Sequence, residues 1–144
     1  MATSFAATVG KWASESEVRM TAVRRRSVEL LAEDMSNTKP NGGHVPFLTG
    51  NLARSLTAST EGMPKTSETP TAGGNVGLVT ATLRLDQPCW LGYQAIYARR
   101  RNYGYVGADV LGRVFNEPGD YFVEHAIQSW HQIVAKAVRE MGGP

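Results

Sequence analysis

The stretch that decides the fold is residues 5–37, "FAATVGKWASESEVRMTAVRRRSVELLAEDMSN", which contains no proline. Apolar residues fall mostly at helical spacing along it: Phe5, Val9, Trp12, Met20, Val23 and Leu30, with Val28, Leu31 and Met35 widening the stripe. The pattern predicts one long N-terminal helix, although Ser14 and Glu17 match a capping box that would start it near residue 14. A helix of about 30 residues reaches about 45 Å. Since that is long for a small domain, we expect part of the stripe to need a neighbouring molecule.

The middle of the chain alternates between breaker-rich loops and short elements. In "FLTGNLARSL" (47–56), Thr49 can cap a short helix. Residues 61–75 are rich in Gly, Pro, Ser and Thr, which predicts a mobile loop or hairpin tip. The alternation in "NVGLVTATLRL" (75–85) predicts a strand, with residues 55–60 as its antiparallel partner.

Two further helices are predicted in the second half. A short amphipathic helix is expected from about 89 to 101, and a short strand around 109–115. Asp120 can cap the last helix, which ends at the glycines and proline of 142–144. Its apolar stripe consists of Val123, Ile127, Trp130, Val134, Ala137 and Met141.

The order of these elements predicts the fold class. Strands followed by segregated helices favour an α+β fold, with a long N-terminal helix and a C-terminal helix packed on a small antiparallel sheet. The 144 residues suit a single domain spanning 1–144.

Composition excludes several classes of protein. Fifteen basic and 13 acidic side chains leave a net charge of only +2, too balanced for a general nucleic-acid binder. Cys89 is the single cysteine, so one chain can form neither an internal disulfide nor a thiolate metal cluster. No apolar run approaches the ~20 residues of a membrane span, and the start lacks the basic region of a signal peptide. We expect a soluble intracellular product that does not contact membranes.

The residues that could carry out catalysis do not form a recognisable pattern. His125 and His131 are six positions apart on a predicted helix and point away from one another, and His44 is remote in sequence. Surface histidines and a small buried Cys89 are the favoured interpretation. We therefore predict no enzyme, no metal and no cofactor, with a small hydrolase built on Cys89 or a histidine as an open alternative.

Charged clusters are the remaining candidate sites. The segment "YARRRNYGYVG" (97–107) places three arginines between tyrosines, and a second run lies in the long helix. Such runs fit a solvated surface, a protein interface or nucleic-acid binding. An acidic patch near the end of the long helix could pair with them. The candidate residues are Arg24, Arg25, Arg26, Arg99, Arg100, Arg101, Glu29, Glu33 and Asp34.

Two segments resemble a known family. "PFLTGNLARSL" (46–56) resembles the Thr-Gly-x-Leu-x-x-Ser segment of neck or tail-completion proteins from long-tailed, double-stranded DNA phages. The stretch 93–138, "YQAIYARRRNYGYVGADVLGRVFNEPGDYFVEHAIQSWHQIVAKAV", is similar to the second half of that family. There an aromatic-Ala segment leads to a glycine turn and an aromatic-rich helix. With the long N-terminal helix, the resemblance covers about residues 14–140.

The resemblance implies a structural virion protein, assembled in the host cytoplasm and located at the phage head–tail junction. Family members form rings, for which a hexamer is expected, and contact connector or stopper proteins and tail-tube or terminator proteins. The ring encloses the channel through which DNA passes without sequence-specific binding. A tail terminator capping the tube is the alternative, and a small DNA-binding module comes after it. We expect Arg99–Arg101 to meet Glu29, Glu33 or Asp34 of an adjacent copy, with the DNA channel as the second possibility.

Overall fold

The computed structural model describes residues 4–68 and 73–142. Its first element is the helix α1 (Phe5–Ser36), whose 32 residues extend about 48 Å. Ser4 caps it, since Ser4 Oγ accepts a hydrogen bond from Ala7 N at 3.1 Å. The prediction of one long N-terminal helix is confirmed, and the alternative start near residue 14 is wrong.

The two halves of α1 have different surroundings. Its buried side chains all come after residue 26: Ser27, Val28, Leu30, Ala32 and Met35. Residues 5–18, called the arm below, are exposed except for half-buried Ser16. The arm therefore projects from the packed part of the molecule.

The segment after α1 forms a 3-10 turn (Lys39–Asn41) and then the predicted short helix, α2 (Asn51–Arg54). Strand β1 (Leu56–Ser59) follows and pairs antiparallel with β2 (Trp90–Tyr93). The register places Leu56 opposite Tyr93 and Ser59 opposite Trp90.

The partner predicted for β1 was wrong. Residues 75–85 contain the helix α3 (Val76–Ala81) and no strand. The outer edge of β1 bonds instead to the amide of Asn75: Oδ1 accepts from Ala58 N at 2.8 Å, and Nδ2 donates to Ala58 O at 3.0 Å. One side chain thus satisfies the backbone groups that a further strand would have paired.

The predicted helix at 89–101 is also wrong in its first half. Residues 90–93 are strand β2, and the helix α4 covers Ala98–Tyr103. Tyr97, which precedes this helix, is exposed, and its hydroxyl accepts a hydrogen bond from Asn51 Nδ2 at 3.0 Å. Buried Ala98 contributes to the core instead.

A second hairpin follows α4 directly. Strands β3 (Gly104–Ala108) and β4 (Val114–Pro118) pair antiparallel, with Ala108 opposite Val114. The single strand predicted around 109–115 was wrong, because residues 109–113 form the connection between two strands.

The C-terminal helix is divided at Ser129 into α5 (Phe122–Gln128) and α6 (Trp130–Met141). The predicted cap is wrong, since Tyr121, with φ 50°, precedes α5. The Asp120 carboxylate contacts the Lys39 ammonium and the Arg101 guanidinium.

The core consists of three apolar clusters between these elements. Buried residues of the first are Val45, Leu52, Ala95, Ala98 and Phe122. Ala32, Met35, Leu56 and Ala126 form the second. Leu30, Ile133 and Ala137 form the third, where α1 packs on α6.

The predicted fold class, α+β with long N-terminal and C-terminal helices and small antiparallel pairing, is confirmed. Within residues 4–68 and 73–142 the strands form two separate two-stranded sheets. In the same ranges, no helix combines the length and apolarity required to cross a membrane.

Part of the predicted mobile loop at 61–75, residues 69–72, lies outside the described residues, as do Gly143 and Pro144 of the predicted helix stop. The N-terminal half of the loop is attached to the fold at one point, because Ser67 N donates to Gln94 O at 2.7 Å. The mobility of the loop stays a prediction.

Candidate assembly interface

The first arginine run is bonded to the segment that follows α3. The Arg24 guanidinium donates to the backbone carbonyls of Arg84 and Gln87. Arg25 Nε donates to the carbonyl of Leu83 at 2.9 Å. These bonds hold the 83–87 turn against α1, so both Nη atoms of Arg24 and Nε of Arg25 already have partners within the subunit.

Arg26 connects α1 to α6. Its Nε donates to Glu140 Oε2 at 2.6 Å, and its Nη1 lies 3.2 Å from Glu29 Oε2 and 3.4 Å from Glu33 Oε1. The hydrogen bond from Arg26 holds the pKa of Glu140 below its ordinary value. One guanidinium thus contacts two members of the acidic patch and a carboxylate of the C-terminal helix.

The acidic patch is consequently not a uniform negative surface. Glu29 Oε1 also accepts a hydrogen bond from the hydroxyl of buried Thr80 at 3.1 Å. Among the residues that the structure describes, Asp34 is the patch member without an ion-pair partner. Any pairing of Glu29 or Glu33 with a second copy would have to share the charge of Arg26.

Arg100 fixes α4 to the second hairpin. Its Nε and Nη2 donate to the two carboxylate oxygens of Glu117, both at 2.8 Å. The guanidinium also lies over two rings, 4.3 Å from the Tyr105 centroid and 5.1 Å from that of Phe115. The hydrogen bond from Arg100 lowers the pKa of Glu117 below its ordinary value.

The other two arginines of the run differ from Arg100. Arg101 Nη2 lies 3.1 Å from Asp120 Oδ2 without the alignment of a hydrogen bond. Arg99 is exposed, and no side chain among the described residues pairs with it. Three adjacent arginines therefore offer one fully available positive charge.

Residues 46–56, "PFLTGNLARSL", are called the motif segment below. This segment and α4 line one depression, called the motif depression, with a volume of about 950 Å³. It is lined by the "PFLTGNL" residues (46–52), by Arg100, Arg101 and Glu117, and by Tyr97. Phe47 and Leu48 stand exposed at its rim. Sequence reasoning singled out both segments without indicating that they lie together.

A second depression is almost wholly apolar. This feature, called the groove below, has a volume of about 880 Å³ and lies between α1, β2, and the pair α5 and α6. Its lining residues are Arg19, Met20, Val23, Arg24, Ser27, Val28, Leu31, Met35, Met63, Cys89, Trp90, Leu91, Val123, Ile127, Trp130, Val134, Val138 and Gly142. The last helix's apolar stripe, expected to pack inward, instead leaves Ile127 63% exposed and Trp130 39% exposed.

The charges on the groove have one sign. Among the described residues that line it, Arg19 and Arg24 carry charge, and no carboxylate joins them. Burial raises the pKa of the Cys89 thiol, which keeps it protonated and poorly nucleophilic at neutral pH. The groove offers apolar contact bordered by positive charge.

The arm is the second large apolar surface. Phe5 is 84% exposed and Trp12 is 67% exposed, and Val9 between them is exposed as well. Large aromatic side chains rarely stand this free on a monomer, so a contiguous set of them indicates a binding surface.

Histidines come together in a way that the sequence did not suggest. The rings of His44 and His125 stack with centroids 3.8 Å apart and planes 9° apart. They are far apart along the chain, so no spacing rule could have indicated the contact. Across residues 4–68 and 73–142, no group of three His, Cys, Asp or Glu side chains could hold a metal ion.

No family model, curated protein sequence or solved structure matches the chain. The surfaces of the chain itself are therefore the evidence that bears on its function. These are the groove, the arm, and a motif segment with its arginines.

Proposed function

We propose that the chain is a structural virion subunit at the head–tail junction of a long-tailed, double-stranded DNA phage. Copies form a ring, a hexamer by the resemblance, that joins or completes the tail and encloses the DNA channel. The segment "PFLTGNLARSL" and the order of motifs in residues 93–138 support this assignment to a family.

The observation that carries the proposal is the pair of large apolar surfaces left open on one small chain. The arm exposes Phe5, Val9 and Trp12, and the groove exposes Ile127 and Trp130. Their area in water is unfavourable by roughly 25 cal/mol per Å², so covering them by another subunit favours assembly. A subunit that completes its fold by contact with neighbours suits a ring in a virion.

The motif depression also supports a role in assembly. It places two exposed apolar side chains, Phe47 and Leu48, beside the Arg100–Glu117 pair. An apolar centre with a charged rim is the ordinary composition of a protein interface. We assign this surface to contact with a neighbouring protein of the junction.

Localisation in the particle tests the proposal. Virions of a phage that encodes the chain would be labelled with antibody against it and viewed by electron microscopy. The expected label lies at the junction between head and tail. Absence of the chain from purified virions, shown by mass spectrometry, or label spread over the capsid would overturn the assignment.

A further inference from the structure

We propose that in the free protein the arm of each copy lies in the groove of a second copy, with the two α1 helices antiparallel, so that the chain is a two-fold dimer. The occupant of the groove is thus a defined segment of the same sequence. The inference concerns the chain before it joins any larger assembly, and it does not depend on the phage assignment.

Length is the first argument for this occupant. The arm rises about 20 Å between Phe5 and Val18 at 1.5 Å per residue. Along α1 the groove runs from Arg19 to Met35, which is about 24 Å by the same rise. A helix of the arm's length therefore covers all but about 4 Å of the groove.

The direction of the apolar stripe is the second argument. Phe5, Val9 and Trp12 lie on the same face of α1 as Met20 and Val23, which line the groove. The arm's apolar face and the groove therefore open toward the same side of one continuous helix. When two such helices run antiparallel, each arm covers the other copy's groove at the same time, which is the self-complementary contact of a two-fold axis.

Opposite charges also meet in the antiparallel arrangement. Arg19 and Arg24 lie at the end of the groove nearest the arm. A two-fold axis crossing α1 between arm and groove brings Glu15 and Glu17 of one copy beside these arginines of the other.

The area is sufficient for a stable dimer. Phe and Trp side chains bury about 150–250 Å² each. Phe5 and Trp12 from two arms thus contribute about 600–1,000 Å² before the groove surface that they cover is added. With that surface included, the contact reaches the ~1,200–2,000 Å² of a specific interface.

Mass measurement is the first test. Light scattering after size exclusion should give twice the 15.6 kDa chain mass. Phe5→Ser with Trp12→Ser should reduce the mass twofold, to that of one chain, with an unchanged circular dichroism spectrum, because both side chains are exposed within the subunit. The matched control is Val110→Ser with Leu111→Ser at the exposed hairpin tip, which should remain dimeric.

Disulfide capture tests the direction. Cys89 lines the groove close to Arg24, so a cysteine at Ser16 in the antiparallel arrangement should form a covalent dimer with Cys89 of the second copy under mild oxidation. Ala7→Cys lies on the opposite face of the arm and should not, and Ser16→Cys combined with Cys89→Ser should lose the product. A chain that stays monomeric throughout the micromolar range overturns the proposal. Efficient capture from Val9→Cys in place of Ser16→Cys, or a wild-type mass above two chains, would overturn the antiparallel exchange.

Discussion

At the scale of single residues, the three arginines of "YARRRNYGYVG" have three different environments. Arg100 is held by Glu117 and by two aromatic rings, and Arg101 is near Asp120. Arg99 is exposed and unpaired among the described residues. An experiment that reverses all three charges would therefore disturb the docking of the hairpin as well as any interface, and Arg99 alone provides a clean probe.

Arg99→Glu should leave folding unchanged and weaken head–tail joining. Exposed substitutions away from pairs usually change the free energy of unfolding by less than about 0.5 kcal/mol. Urea unfolding checks the first part, and plaque complementation checks the second, with Arg99→Lys as the matched control. Normal joining combined with poor DNA ejection would contradict an interface role and place Arg99 in the channel.

Acid should weaken the link between α1 and α6. The pKa of Glu140 is lowered in the folded chain by its hydrogen bond from Arg26. The stability that this pair contributes is therefore fully present at pH values above the pKa of Glu140 in the unfolded chain, about 4.3. It is lost as the pH falls through the lower pKa of Glu140 in the folded chain.

Arg26→Met removes that link and should be less stable than the wild type at pH 7. The difference in urea midpoint should shrink below about pH 4, because protonated Glu140 no longer distinguishes the two proteins. A difference that stays constant from pH 7 to pH 3 would show that the pair contributes no pH-dependent stability.

The sequence indicates which charged residues are candidates but not which residues they pair with. Glu117 and Glu140 lie 17 and 114 positions from the arginines that they bind. Only the folded chain brings such positions together. Arginine runs and acidic patches are visible in a sequence, whereas the pairing that neutralises them depends on tertiary packing.

At the scale of elements, residues 75–85 show why a short apolar pattern is ambiguous. The alternation of Val76, Leu78 and Thr80 suits a strand, yet Val76, Thr80 and Leu83 are also spaced four and three apart, as on a helix. The structure buries Thr80 and Leu83 and leaves Leu78 80% exposed. The sequence fits a strand and a helix equally well here, and packing against α1 favours the helix.

Asn75→Ala should destabilise the fold by about 1–2 kcal/mol, since it leaves the N–H and carbonyl of buried Ala58 without partners. Chemical denaturation measures the change. Asn116→Ala, on an exposed strand position, is the matched control and should cost little. Equal effects at the two positions would contradict the role given to Asn75 at the sheet edge.

At the scale of the whole molecule, the second half of α1 packs in the core, whereas its first half, the arm, is exposed to solvent. The excess apolar stripe was visible in the sequence and predicted a need for neighbours. The groove was not predictable, because it is formed jointly by α1, β2 and the pair α5 and α6. Their relative placement follows from long-range contacts that no local pattern encodes.

Both proposals use the apolar face of the arm, so the dimer of the free chain must separate before that face contacts a neighbour in a ring. In the free chain the arm covers a partner's groove, and in a ring the same face must be covered by a neighbouring subunit. An arm variant with Phe5→Ser and Trp12→Ser would then fail in both settings. A variant such as Arg99→Glu should remain a dimer while losing junction function.

The most direct measurement uses a phage that encodes this chain and carries a nonsense allele of its gene. Lysates grown without a suppressor would be viewed by electron microscopy. Complete heads and free tails should accumulate unjoined, and adding purified chain should restore infectious particles. Normally joined, infectious virions in which mass spectrometry finds none of the chain would contradict the account.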